Sequence, residues 1–140
     1  MAGWPTIHRM HGEPRLRMWM PYSRDNRDWI HDTLGARIQP AWNRDERWWE
    51  ISRRHLMPLA YALTDRFGQV DVVLEFNELE RCDTRCRNAN GDDCECSCLG
   101  FHHGGGLWHG WIQVGETTLI RPGWRRQHMR LTAEGLALLR

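Results

Sequence analysis

Polar and apolar residues alternate in "RLRMWM" at 15–20, which places Leu16, Met18 and Met20 on one side with the period of a half-buried strand. Pro21 ends the run. Ser23 stands where it would cap a helix whose first turn carries Asp25 and Asp28, favourable at the positive end of the helix dipole. Ile30 and Leu34 supply that helix's buried side and Gly35 its stop. "ARIQPAWNRDERWWEIS" then reads as a hairpin, extended to Trp42, turning over Asn43 to Glu46 and returning from Arg47 to Ile51. Alternation sets Arg47, Trp49 and Ile51 on one face and Trp48 and Glu50 on the other.

Ser52 is placed to cap a second helix, in which Leu56, Leu59, Leu63 and Phe67 recur at helical spacing up to Gly68, with Pro58 kinking it or delaying its start. "VDVVLEF" at 70–76 is the clearest strand. Further on, "LWHGWIQVGETTLIRP" suggests a hairpin turning at Gly115 and Glu116, and Thr132 opens a short helix through "AEGLALL". The expected architecture is α+β: a small mixed sheet in the order strand, helix, hairpin, helix, strand, followed by an inserted Cys-rich loop and a C-terminal hairpin and helix. One domain covers 1–140, divided into a loose arm at 1–14, a first half at 15–78, a Cys/His loop at 79–106 and a closing unit at 107–140.

Composition adds two features. All 19 basic residues are arginine, balanced by 18 acidic ones, and the chain holds nine tryptophans. Arginine forks onto phosphate and stacks on bases, so this bias supplies a nucleic-acid surface; a GC-rich genome would produce the same bias with no such role. Charge is unevenly spread: 71–96 holds eight acidic residues and three arginines, whereas 121–140 holds five arginines and one glutamate. A nucleic acid is therefore expected at the N-terminal arm, the Trp hairpin and "RPGWRRQHMR", away from the acidic stretch. No apolar run is long enough to span a bilayer and the first residues lack a signal-peptide pattern, so the chain reads as cytoplasmic with no membrane partner.

All five cysteines fall within "CDTRCRNANGDDCECSC". An odd count packed into one loop argues against a disulfide framework. The spacing is C-x3-C, seven residues, C-x-C-x-C and then G-x2-H-G, in which an extended "CECSC" directs Cys94, Cys96 and Cys98 to one side. The turn "NGDD" folds them back toward Cys82 and Cys86. With His103 these six residues are candidate ligands for zinc, exceeding the four that one ion takes, so spectator ligands, two ions or an iron-sulfur cluster stay open. No H-x-E…P-C-x2-C or H-E-x2-H signature accompanies them, and no catalytic residue is assigned.

The run from "RLRMWMPYSRD" through "WNRDERWWEIS" to "LMPLAYALTDRFG", with Trp42 and Trp49 seven residues apart and Pro21-Tyr22 ending the first strand, resembles the HARP domain of annealing helicases over about residues 15–68. The resemblance implies recognition of single-stranded or branched DNA without motor activity, since the chain has no phosphate-binding loop. The Cys, Gly and His pattern resembles one found in small proteins of actinobacteria and their phages. The leading expectation is a metal-stabilised nucleic-acid-binding protein using Arg37, Trp42, Arg44, Arg47, Trp48, Arg53 and Arg54. The alternatives are a phage-type interaction module that binds a host protein and, third, a small metalloenzyme.

Overall fold

A computed structural model describes residues 3–77 and 110–138. The first strand, β1 (Thr6–Arg9), lies in the segment expected to be a loose arm. β2 (Arg15–Trp19) pairs antiparallel with it, Ile7 opposite Met18. Helix α1 (Asn26–Leu34), strands β3 (Ala41–Asn43) and β4 (Trp48–Ser52), a 3-10 turn at Arg53–His55, helix α2 (Leu56–Phe67) and strand β5 (Gln69–Asn77) follow. After the Cys-bearing segment come β6 (Ile112–Gln113), β7 (Thr118–Arg121), β8 (Trp124–Thr132) and helix α3 (Ala133–Leu138).

The strands form one mixed sheet in the order β3-β4-β2-β1-β5-β8-β6, with β7 also pairing β8. Only β1 and β5 run parallel among the described pairs, because α2 carries the chain back over the sheet from β4 to β5. The α+β expectation holds. The loose arm does not: Ile7 is wholly buried and β1 is the link between β2 and β5.

Register explains where the core sits. Trp49 and Ile51 stand opposite Met18 and Leu16, Met18 opposite Ile7, Ile7 opposite Val72, and Val72 opposite Met129, so one face carries an unbroken apolar row across five strands. Leu56, Leu59, Ala60 and Leu63 of α2, Ile30 of α1 and Leu136 of α3 complete the same buried cluster, which places all three helices on this face. Each fully buried leucine contributes on the order of 2 kcal/mol.

Local details depart from expectation at the caps and in the last third. Ser23 does not cap α1; Asp25 occupies the N-cap position and the Ser23 hydroxyl donates to its carboxylate, holding the Asp25 pKa below its ordinary value. Ser52 leads into the 3-10 turn, and His55 takes the N-cap position of α2, leaving Pro58 in the first turn, where an unbonded nitrogen costs nothing. Gly68 ends α2 in the left-handed region at φ 93°, its N–H returning to Thr64 O at 2.8 Å. The C-terminal hairpin turns at Pro122-Gly123, between β7 and β8, rather than at Gly115-Glu116. Thr132 does cap α3, its Oγ1 accepting the Gly135 N–H at 3.2 Å.

Candidate nucleic-acid interface

Two structural decisions determine which arginines face solvent. The first is the pairing of β5 with β8. Asp71 lies opposite Arg130 and Glu75 opposite Arg126, so the acidic and basic blocks of the sequence meet residue by residue across the sheet. Arg130 donates to Asp71 through Nε at 2.7 Å and Nη2 at 3.1 Å, His128 shares the carboxylate at 2.8 Å, and Arg126 bonds Glu75 at 3.1 Å. β8, which carries most of "RPGWRRQHMR", is therefore an interior strand whose Arg126 and Arg130 have internal partners. On the same face Arg17 lies over Trp48 at 4.9 Å, and burial followed by Arg126, Arg17 and His128 depresses the His8 pKa.

The second decision is the alternation of the Trp hairpin. Trp42 pairs with Trp49, ring centroids 5.2 Å apart, and both look toward the helical face. Trp49 is 8% exposed and belongs to the core, as the alternation predicts, while Trp42 is 44% exposed. Trp48 points to the opposite face, where its indole N–H is spent on Glu50 at 3.2 Å. Asn43 Nδ2 bonds the same carboxylate at 3.1 Å; these two hydrogen bonds, Asn43 first, hold the Glu50 pKa below the usual range. The structure thus separates Trp48 from Trp42.

Between the hairpin tip and the start of α1 lies a cleft of about 690 Å³. Trp42 and Trp49 form one wall, and Tyr22, 89% exposed, rises beside them. Arg24, Arg27 and Arg47 ring the cleft, against one acidic lining residue, Glu46. Arg27 lies over the Trp49 ring at 5.0 Å, and no carboxylate pairs with these three arginines among the described residues. Arg47 adopts φ 61°, a left-handed conformation that a side-chain-bearing residue enters at a cost of about 1 kcal/mol. The turn imposes it: Arg47 N donates to Asn43 O at 2.7 Å and Glu46 N to Asn43 Oδ1 at 3.0 Å.

The other expected contact residues distribute elsewhere. Arg44 is exposed in the hairpin turn. Arg53 donates to Glu13 O at 3.3 Å, and Arg37 and Arg54 line a separate pocket at the hairpin's base. The sequence reading missed Tyr22, Arg24 and Arg27; the signal was present in "PYSRDNR", an aromatic and two arginines around a helix start, but only the hairpin's position beside α1 gives it meaning.

Cys82, Cys86, Cys94, Cys96, Cys98 and His103 lie outside the described residues. Among the described residues no three His, Cys, Asp or Glu side chains converge as a metal site, and no helix is long and apolar enough to cross a membrane. The chain matches no family model, and comparison with curated proteins and with solved structures finds no match.

Proposed function

We propose that this chain is a small nucleic-acid-binding protein that takes single-stranded or branched DNA into the cleft between α1 and the β3–β4 hairpin. The observation that carries the reading is the pairing of exposed aromatic surface, Tyr22 and Trp42, with Arg24, Arg27 and Arg47 around one 690 Å³ space. Stacking of a base on an aromatic ring is worth about 1–3 kcal/mol and tolerates any base, while each arginine near the backbone releases counterions. The resemblance of 15–68 to the HARP domain leads to the same class of ligand. In this reading zinc, held by four of Cys82, Cys86, Cys94, Cys96, Cys98 and His103, stabilises the segment inserted between β5 and β6 and takes no part in chemistry.

Fluorescence anisotropy with labelled single-stranded, forked and duplex oligonucleotides across a salt series tests the proposal. Binding that steepens as salt falls, and weakens about tenfold in Trp42→Ala and again in Tyr22→Ala, is the expected result. Trp48→Ala should leave affinity unchanged, because its indole faces the other side of the sheet. Absence of binding to every oligonucleotide at low salt overturns the reading and leaves the cleft as a docking site for a host protein.

A further inference from the structure

The base of the hairpin carries a second, smaller pocket of different character. Arg15, Arg37, Ile38, Gln39, Pro40, Ile51, Ser52, Arg54 and His55 enclose about 190 Å³, and no acidic side chain lines it. In a chain whose charges nearly cancel, at formal net +1, three guanidiniums around one small space is a local excess that internal pairing does not remove. Arg15 is fixed across β4 by Nη1 bonds to Gln39 O at 3.1 Å and Glu50 O at 3.2 Å, both backbone carbonyls, and its acidic neighbour, the Glu50 carboxylate, does not line the pocket. Arg54 reaches His55 Nε2 through its own Nε at 3.4 Å. Arg37 and Arg54 are exposed and have no carboxylate partner among the described residues.

We infer that this pocket, formed by Arg15, Arg37, Ser52, Arg54 and His55, binds a phosphate group. Guanidinium forks match the oxygens of a tetrahedral oxyanion, and the Ser52 hydroxyl and, once protonated, the His55 ring are further donors in the lining. The volume holds such an anion with a few waters, whose share of liquid volume is about 30 Å³ each. His55 supplies the reporter. Burial and then the neighbouring Arg54 lower its pKa, and Arg15 and Arg37 are the other charged groups lining the space. An incoming anion reverses the unfavourable field, so binding takes up a proton and strengthens as pH falls. β4 links the two sites: Trp49 lines the cleft and Ile51, two residues and thus about 6.6 Å further along the strand, lines the pocket. The phosphate is either an internal phosphodiester of a strand whose base occupies that cleft, or a terminal or free phosphate.

The test follows the His55 ring signals, assigned by their loss in His55→Gln, in NMR titrations of the full chain. Inorganic phosphate should raise the His55 titration midpoint by about half a unit or more relative to chloride at equal ionic strength. Arg37→Ala with Arg54→Ala should abolish the rise, and because both side chains are exposed the fold should survive. Trp42→Ala should leave it intact. Oligonucleotides with and without a 5′-phosphate separate the sources: a preference for the phosphorylated strand that the double variant erases identifies a terminal phosphate. Equal affinities that both weaken in the double variant identify a phosphodiester. If phosphate moves His55 no more than chloride does and the double variant binds both strands like the wild type, the pocket is not a phosphate site, even where binding through Trp42 persists. A phosphate response without strand binding rejects the DNA reading alone.

Discussion

Arg130 forks onto Asp71 across β5 and β8, Nε to Oδ1 at 2.7 Å and Nη2 to Oδ2 at 3.1 Å, and in doing so joins the two ends of the charge pattern in the sequence. Asp71 is 5% exposed and also receives His128. Burial alone pushes its pKa up, but the hydrogen bonds from Arg130 and His128 outweigh it and hold the carboxyl below its ordinary value.

The sign of the consequence follows from linkage. A carboxylate whose folded pKa lies below its unfolded value of about 3.9 adds stability at higher pH and withdraws it as pH falls through the folded pKa. Melting curves should therefore be flat from neutrality down to about pH 5 as far as Asp71 is concerned, and decline below about pH 4. Asp71→Asn should cost about 2–3 kcal/mol at neutral pH, less than for a fully buried pair because Arg130 and His128 keep part of their side chains in water. It should also flatten the acid limb. Denaturant unfolding of both proteins at neutral and acid pH measures each effect; an identical acid limb would mean that Asp71 is not the linked group.

Arg47 separates stability from binding. Its φ of 61° suits glycine, so Arg47→Gly should relieve the backbone and stabilise the fold by about 0.5–1 kcal/mol, offset in part by glycine's greater unfolded-state freedom. The same change removes a cation from the cleft and should weaken oligonucleotide binding and lower the salt slope by about one. Thermal melts and anisotropy on the same variant should move in opposite directions.

Ile7 tests the place of the first strand. It is wholly buried, between Met18 and Val72 in the register, and Ile7→Ala should cost about 3 kcal/mol. A residue on a loose arm would tolerate the change. Chemical denaturation decides between them.

The Cys-bearing segment is tested by metal analysis and melting. About one zinc per colourless chain is expected, and a chelator or Cys96→Ala should release it and lower the melting temperature, because metal-binding energy becomes folding energy when the unfolded chain has no site. Brown protein with stoichiometric iron would replace zinc by an iron-sulfur cluster. Stripped protein that melts unchanged would remove the structural role.

Short-range patterns in the sequence determined those elements whose periodicity is long enough to repeat. Leu16-Met18-Met20, Leu56-Leu59-Leu63 and Val70-Val72-Leu74-Phe76 each specify a face without reference to any neighbour, and the buried cluster contains them all. Gly35 and Gly68 stop their helices because glycine enters the φ region required there, 121° and 93°, with no Cβ penalty. Alternation likewise predicted that Trp49 is core. Tertiary pairing decided what these patterns do not encode. Thr6–Arg9 is too short, with one aliphatic residue, to announce a strand; it becomes one because β2 and β5 offer hydrogen-bonding edges on either side. "WRRQHMRLT" looks like a basic surface because three arginines fall within six residues, yet antiparallel pairing sets Arg126 and Arg130 against Glu75 and Asp71, more than fifty positions away in the chain. The cleft arose the same way: Tyr22, Arg24 and Arg27 line a common space only where the hairpin brings Trp42 and Arg47 beside them, since side chains from separate elements converge through packing rather than through spacing along the chain.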